Sequence, residues 1–403
     1  MAVAPSSLPG RWVPPAYTPI PLGGLAEAGA AALLRRDDRG RLVALLAGTY
    51  AADTVVLTDS GTGALQLAMR AFASDDTTRR PRIALPAFAC FDLVTAAVGA
   101  DATPVFYDVV PETLEPEWSS FESALAARVD AVVVAPLFGL PGGWPKVRAL
   151  AEAAGVPIIE DAAQGFGSSP GGRRAGSLGD VSVLSFGRGK GWTGGGGGAL
   201  LGRSEERTPP TESAAVPGAI GVLGRSLVQC ILSSPSLYGV PARIPALGLG
   251  ETRYRPPRAV ESLAPASATL LLASRAAAER EAEGRRRRAR RLVEGVDGGY
   301  PGRWSAVAGY LRLPVLLPTP GKAEALSLEF GRRGVQRSYP APLPTLPPLA
   351  GRMETMGECP GAAALADRLV TLPTHSGASD EDVRRLVAAT RAAGGQIVGP
   401  DAG

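Results

Sequence analysis

The chain is poor in the residues that build disulfide frameworks and metal centres. Its 403 residues include three cysteines and one histidine. Cys90, Cys230 and Cys359 are widely separated and odd in number, which excludes a disulfide framework and paired-cysteine metal ligands. The sequence therefore predicts no metal site and fits a reducing, cytoplasmic setting. Nothing in the sequence places a nucleophile beside His375, as a serine-hydrolase triad would require. We therefore expect His375 to be a structural residue in a C-terminal turn.

Long apolar runs are also missing. No uninterrupted stretch reaches the ~18 apolar residues of a membrane-spanning helix. The first residues have neither the basic region nor the apolar core of a signal peptide. Residues 218–240 are largely apolar, with Arg225 as their only charge. We expect a helix there, buried against the large domain or a second subunit, with peripheral membrane contact as the alternative.

Strong charge of one sign is absent. The 42 basic residues nearly balance 38 acidic ones, which leaves a net charge of +4. This balance gives no indication of a nucleic-acid partner. A run of arginines at 285–291 falls in a predicted long helix over 262–293. Because successive helical residues point in different directions, we interpret these arginines as a solvated face.

What the sequence does contain is an alternation of short apolar runs with helical patterns. Strands are predicted at 54–59, 82–86, 104–108 and 131–135, and a helix at 145–154. This alternation predicts a three-layer α/β/α fold with a mostly parallel sheet, whose ligands lie beyond the carboxyl ends of the strands. A smaller α/β domain is predicted from a strand at 310–317 and helices at 322–333 and 381–393.

Four segments follow from these patterns. Residues 1–25 are interpreted as an arm and 26–205 as the large domain, beginning with a helix over 26–46 that the charged stretch 35–40 interrupts. Residues 206–258 form a Pro/Ser-rich connection. Residues 259–403 contain the long helix and the small domain.

Two predicted strands deliver polar side chains at their carboxyl ends. The run from 157 ends in Asp161, and the run from 181 leads to Ser185 and Lys190. An anion, a hydroxyl and an amine suit a cofactor that combines a pyridine ring, a phosphate and an aldehyde. The anion would keep the ring nitrogen protonated, the hydroxyl would take the phosphate, and the amine would bond to the aldehyde.

A glycine-rich turn opens a helix after the first strand. Residues 60–65 read Ser-Gly-Thr-Gly-Ala-Leu, and such a turn offers backbone N–H groups and a positive helix end to a phosphate. Alone, the motif fits an ordinary strand-to-helix turn equally well. Lys190 is not in a nucleotide-binding P-loop, because Leu184 stands at the required glycine and Gly191 at the required Ser or Thr. The glycines at 194–198 are expected to let the backbone pack closely behind the lysine.

Three ordered motifs resemble the DegT/StrS-type (DegT/DnrJ-like) sugar aminotransferases. They are Glu160-Asp-Ala-Ala-Gln164, Gly176-Ser-Leu-Gly-Asp180, and Ser185-Phe-x-x-x-Lys190 before a glycine tract. The resemblance extends over roughly residues 20–395 and is weakest at 203–260. It implies a pyridoxal-phosphate enzyme of the aspartate aminotransferase fold, fold type I.

The resemblance also implies roles for single residues. Lys190 would hold the cofactor and move protons, Asp161 would face the ring nitrogen, and Gln164 would lie beside the phenolic oxygen of the ring. Tyr339, in a segment similar to the Tyr-Pro-x-Pro-Leu of the family, would lie near the substrate. The implied phosphate ligands are Gly61, Thr62 and Ser185.

One position of the implied site stays open. Many relatives carry an aromatic residue, stacked on the pyridine ring, where this chain has Cys90. Either the thiol faces the ring, or Phe88 or Phe91 stacks on it. These two aromatics can equally be core residues.

The resemblance implies amino transfer from an amino acid, by analogy glutamate, to a nucleotide-linked keto-sugar. The products would serve cell-surface polysaccharide or secondary-metabolite synthesis, and the enzyme would be a homodimer. Sugar-dehydrating relatives carry histidine in place of the lysine, so Lys190 favours transamination over another reaction of the same cofactor. The alternative is a non-catalytic relative that binds the cofactor or a nucleotide-sugar. An acid missing from the tract at 194–198 and a histidine missing after Leu343 motivate it.

Overall fold

The computed structural model describes residues 11–72, 79–204, 218–239, 252–298 and 303–400. Residues 1–10 of the predicted arm lie outside these ranges. So do residues 205–217 and 240–251, which include most of the ends of the predicted connection.

The centre of the fold is an eight-stranded sheet with the order β1-β7-β6-β5-β4-β2-β3-β10. Neighbours from β6 to β10 run parallel, whereas β7 is antiparallel to both β1 and β6. The predicted mostly parallel sheet is therefore confirmed. The strands are β1 Thr54–Thr58, β2 Arg82–Pro86, β3 Thr103–Tyr107, β4 Ala131–Val134, β5 Ile158–Asp161, β6 Val181–Ser185, β7 Gly198–Gly202 and β10 Glu354–Thr355.

Helices cover both faces of this sheet because its central strands are apolar on both sides. In β2, Ile83 and Leu85 pack with the helices Gly61–Ala71 and Asp92–Gly99, while Ala84 points to the opposite face and packs with the helices Trp118–Ala126 and Trp144–Ala154. The helices of the large unit are α1 Leu22–Leu33, α2 Arg39–Tyr50, α3 Gly61–Ala71, α4 Asp92–Gly99, α5 Trp118–Ala126 and α6 Trp144–Ala154.

A second sheet of four antiparallel strands follows, in the order β12-β8-β11-β9. Its apolar residues share one core cluster with those of the large sheet. The predicted small α/β unit is present, and a long helix α8, Pro265–Val296, precedes it. Its elements are β8 Leu313–Leu316, α9 Pro320–Phe330, β9 Gln336–Arg337, α10 Pro360–Arg368, β11 Leu369–Leu372, α11 Asp380–Ala392 and β12 Gln396–Ile397.

The predicted interruption of the helix over 26–46 is present. The stretch forms two helices, because Arg35 adopts a positive φ of 53° and Asp38 is buried as an acceptor for Arg36, Arg41 and Thr269. One helix prediction needs correction. The arginine run on α8 is not a wholly solvated face. Arg285 is fully buried and donates to the carbonyl of Tyr17, although the more distal arginines of the run are exposed.

The apolar segment at 218–240 contains α7, Ala219–Leu232. Val222 and Ser226 are buried, while Ile220 is 89% and Val228 is 53% exposed. The expected burial is therefore found on one side of the helix only. Within the described part of the chain, no helix has the length and apolar character needed to span a bilayer.

Candidate active site

The two predicted strand ends lie side by side. Asp161 closes β5 and Ser185 closes β6, and these strands are parallel neighbours with Asp161 in register with Val183. Both polar side chains therefore reach the same edge of the sheet. Lys190 follows in a turn after β6, in which its N–H donates to the carbonyl of Gly187 at 3.3 Å.

The residue before Asp161 fixes the loop that follows. Glu160 is buried and accepts the N–H groups of Gly176 and Leu178, each at 2.7 Å, and the hydroxyl of Ser182 at 2.7 Å. Burial raises the pKa of Glu160 more than these hydrogen bonds lower it. The spacing between the first two motifs thus has a structural cause, for which the sequence has no local signal.

The helix α3 begins directly against the end of β6. Ser60 caps the helix, and its hydroxyl accepts the N–H of Gly63 at 3.1 Å. A Cβ added at Gly61 would lie 2.7 Å from the Cβ of Ser185, and one added at Gly198 would lie 2.5 Å from the carbonyl oxygen of Ser60. Glycine is therefore required at both positions, as the predicted close packing of the glycine tract demands.

All six predicted cofactor residues line one cavity, here called the cofactor cavity. It lies between the start of α3 and the carboxyl ends of β4, β5 and β6, where phosphate and pyridine binding were expected. Its described lining residues are Gly61, Thr62, Leu65, Ala89, Cys90, Asp92, Ala135, Pro136, Leu137, Asp161, Ala163, Gln164, Ser185 and Lys190.

Asp161 is a nearly buried carboxylate with spare acceptor capacity. Its Oδ1 accepts the N–H of Ala163 at 3.0 Å, and within the described ranges no hydrogen bond reaches Oδ2. Burial raises the pKa of Asp161, and the opposing attraction of Lys190 is smaller. A cation placed beside Oδ2 would restore the ionised form, because an opposite charge nearby favours the carboxylate.

The structure separates the three residues considered for the stacking position. Cys90 lines the cofactor cavity, whereas Phe88 and Phe91 belong to the core and pack around Tyr339. Burial raises the pKa of Cys90 to about 12, so the thiol is neutral at physiological pH. Asp92, which no sequence motif indicated, lines the same cavity, and its carboxylate lies 3.4 Å from the Cys90 sulfur.

Gln164 connects the cofactor cavity with a second, larger cavity. Its Oε1 accepts the N–H of Phe138 at 3.0 Å, and its Nε2 donates to the hydroxyl of Tyr339 at 2.8 Å. Burial raises the pKa of Tyr339 well above its ordinary value, so its hydroxyl remains protonated. Tyr339, the predicted substrate residue, lines the larger cavity together with Gln164 and Lys190.

The larger cavity is walled by the N-terminal arm, and we call it the arm cavity. Pro14, Pro15, Ala16 and Thr18 line it, and the hydroxyl of Thr18 donates to the carbonyl of Lys190. No local sequence signal places these residues beside the lysine. The other described lining residues are Phe138, Gln164, Arg188, Gly189, Lys190, Gln229, Ser233, Tyr238, Thr252, Leu311, Arg312, Gln336, Arg337, Ser338 and Tyr339.

His375 anchors this arm, in agreement with the structural role expected for it. The ring is buried, with Nε2 at 2.8 Å from the carbonyl oxygen of Pro14, and Nδ1 accepts the N–H of Gly377 at 3.1 Å. Burial lowers the pKa of His375 to about 3. The imidazole is therefore neutral, with its proton on Nε2.

The stretch that builds the cofactor cavity also matches a known family. Residues 41–219 match the DegT/DnrJ/EryC1/StrS aminotransferase family. The chain is similar to this family over these residues. This confirms the resemblance drawn from the three motifs, all of which fall inside the matched range.

Two curated relatives from the family are similar to part of the chain. A UDP-N-acetyl-3-dehydro-alpha-D-glucosamine 3-aminotransferase of Acidithiobacillus ferrooxidans is 35% identical over 127 residues, which cover 32% of this chain and 34% of that protein. An L-glutamine:2-deoxy-scyllo-inosose aminotransferase of Streptomyces paromomycinus is 35% identical over 150 residues, which cover 36% of this chain and 34% of that protein. The matched stretch thus spans about a third of each relative.

The likeness of fold covers nearly the whole chain. A protein of Streptococcus pneumoniae solved in its PLP form superposes with a TM-score of 0.73 at 18% identity, over 95% of this chain and 98% of that one. The predicted fold type I is thereby confirmed.

The cofactor cavity fits pyridoxal phosphate (PLP), the cofactor of this family. Oδ2 of Asp161 has no hydrogen bond within the described residues, and neither does Nζ of Lys190. The first turn of α3, with Gly61 and Thr62, lies against Ser185 where it could hold a phosphate. A free anion, a free amine and a helix start are the three groups that the pyridine nitrogen, aldehyde and phosphate require.

Proposed function

We propose that this chain is a PLP-dependent aminotransferase that moves an amino group from an amino acid to a nucleotide-linked keto-sugar. The observation that carries the proposal is the convergence of Lys190, Asp161 and the start of α3 on one cavity. Names of the relatives support the substrate class, since they include a UDP-linked sugar and an L-glutamine donor. Glutamate and glutamine are therefore the donors to test.

The residues of the chain supply binding, orientation and proton transfer. When bound, PLP supplies a ring that accepts electrons from the reacting carbon. Asp161 would hold a proton at the ring nitrogen by its negative charge. The amine of Lys190 would hold the aldehyde, and, once displaced by the donor, it would carry a proton to or from the substrate carbon.

Three further groups would hold the cofactor in place. The backbone N–H groups of Gly61 and Thr62 and the hydroxyl of Ser185 would bind the phosphate, for which the positive end of α3 is suited. Gln164 would lie beside the ring, oriented by its bonds to Phe138 and Tyr339. The hydroxyl of Tyr339 would face a substrate in the arm cavity.

The experiment is a turnover assay with a defined donor and a panel of nucleotide-linked keto-sugars. The enzyme is used in catalytic amounts. Under this condition we expect multiple turnovers of glutamate or glutamine to 2-oxo acid only when a keto-sugar is present. Lys190→Ala is the control and should abolish turnover. If the protein binds the cofactor but shows no turnover with any donor, the proposed aminotransferase activity is contradicted and the non-catalytic alternative is supported.

A homodimer is part of the proposal. The exposed side of α7, which includes Ile220, Leu227 and Val228, is an apolar surface beside the arm cavity residue Gln229. A second copy of the chain covering this side would remove it from water. Light scattering should give a dimer mass that falls for Ile220→Glu, whereas membrane contact would instead be seen as sedimentation with lipid vesicles.

The setting of the enzyme is proposed with it. We place it in the cytoplasm, in polysaccharide or secondary-metabolite synthesis.

We also propose that the chain is divided into an arm at 1–25, a large domain at 26–205, a connection at 206–258 and a C-terminal part at 259–403. Limited proteolysis of the purified protein should cut first within the connection.

A further inference from the structure

The arm cavity is lined by cations without a balancing acid. Lys190, Arg188, Arg312 and Arg337 contribute to its described wall, and no aspartate or glutamate does. Such a wall attracts an anion, because the positive charges lie close together around a concave space. The cavity is therefore suited to a substrate that carries a negative group.

Two of the three arginines are already engaged by the protein. Arg312 is held by the carbonyl of Pro15 and by the amide oxygen of Gln336 at 3.0 Å. Arg337 donates to the carbonyl of Ala366 at 2.8 Å. These bonds fix both guanidinium groups in the frame of the cavity.

Arg188 differs from them. Its side chain is exposed, and within the described residues it makes no hydrogen bond or ion pair. It stands in the turn that the Lys190 N–H closes onto Gly187, two residues before the lysine. It also lines a third cavity, beside the start of α3, which Lys190 shares. Arg188 is thus an uncommitted cation at the place where both cavities reach the amine.

We propose that Arg188 binds the α-carboxylate of the amino-acid donor, an inference that rests on the proposed function. In any α-amino acid the carboxylate is attached to the same carbon as the amine. When that amine approaches the group held by Lys190, the carboxylate must lie within a few ångströms of the lysine. A guanidinium accepts such a carboxylate through two parallel N–H···O bonds.

The competing anion is the diphosphate of the nucleotide-linked sugar. In such a sugar the diphosphate is separated from a ring ketone by several bonds, so it lies farther from Lys190 than an α-carboxylate does. Two exposed arginines, Arg255 and Arg258, also line the third cavity and are available to that group. The position of Arg188 therefore favours the donor.

The experiment measures binding of two probes to the PLP-loaded protein by calorimetry. Glutarate carries the carboxylates of glutamate without the amine, and inorganic pyrophosphate represents the diphosphate. Arg188→Gln should weaken glutarate binding by about 10- to 100-fold, as expected for a lost bond to a charged group, and should leave pyrophosphate binding within about twofold. The donor KM should rise by the same factor.

Two further variants make the result specific. Arg188→Lys should lose only part of the affinity, because an ammonium keeps the charge without the paired geometry. Arg287→Gln, an exposed arginine on α8 that lines none of these cavities, should bind both probes normally.

Two outcomes would overturn the proposal. Unchanged glutarate binding in Arg188→Gln would refute a carboxylate contact, and loss of pyrophosphate binding alone would assign Arg188 to the sugar nucleotide. Failure of the proposed function is seen separately. If the wild-type protein binds glutarate through Arg188 but never transfers an amino group, the carboxylate site stands and the aminotransferase does not.

Discussion

The two cavities that meet at Lys190 are assembled in different ways. The cofactor cavity takes all its described lining from residues between 61 and 190, each at a strand end, a helix start or the loop beside it. The arm cavity combines residues from 14 to 339, from the arm to the small sheet. The cavity proposed for the cofactor is thus built from neighbouring strand ends, and the cavity proposed for the substrate is assembled from distant segments.

The largest effect is expected in the cofactor cavity, from Asp161→Asn. The amide keeps the shape but removes the charge opposite the ring nitrogen, so turnover should fall by about 10²- to 10³-fold, as for other preorganised electrostatic groups. The cofactor should still bind through Lys190. Turnover and cofactor content are measured together, and full activity in this variant would show that the two cavities do not divide their roles as described.

The contact between α3 and β6 is tested next, with Gly61→Ala. The new Cβ would lie 2.7 Å from that of Ser185, so we expect a loss of about 1–3 kcal/mol in unfolding free energy and weaker PLP binding. Gly48→Ala is the matched control. A Cβ there meets nothing within 4 Å in helix α2, so stability should rise by about 0.5–1 kcal/mol.

The anchor of the arm is tested by pH. Because the pKa of His375 is lowered to about 3 in the folded chain, from 6.5, its contribution to stability is complete above pH 6.5 and is lost as the pH falls towards 3. At pH 5 this loss is about 2 kcal/mol. Since the chain has one histidine, the loss between pH 7 and 5 should largely disappear in His375→Gln. Denaturant unfolding at each pH measures it, and identical pH dependence in both proteins would contradict the assigned burial.

The smallest effect is expected from Thr18→Val, which removes the hydroxyl bonded to the Lys190 carbonyl. We expect a loss of about 1 kcal/mol in unfolding free energy. Substrate KM should change more than cofactor affinity, because Thr18 lines the arm cavity and not the cofactor cavity. Thr18→Ser should restore both values, and Thr345→Val, at an exposed hydroxyl with a local bond, should change neither.

The same comparison explains what could be predicted from the sequence. Asp161 and Ser185 were predictable because apolar strands end in them and parallel strands share an edge. Gly61 was predictable from a turn that opens a helix. The contacts of Thr18 with Lys190 and of His375 with Pro14 were not predictable, because they join segments far apart in the chain and leave no local pattern.

Charged stretches show the same limit. Arg285 looked like one of several solvated arginines, yet it is buried beneath the arm as a donor to Tyr17. Asp38 interrupted a helical pattern, but its burial between two helices depends on Thr269 of α8. Periodicity identifies the helix in each case, and only the tertiary partner decides which charged side chain is buried.

The most direct test of the central claim is an absorbance spectrum of the purified, PLP-loaded protein before and after glutamate, beside Lys190→Ala. Our account predicts absorbance beyond the protein band that changes on adding glutamate in the wild type, and a different spectrum without that response in the variant. If no cofactor absorbance is retained by the wild type even with added PLP, or if Lys190→Ala behaves identically, the assignment of the cofactor cavity is contradicted.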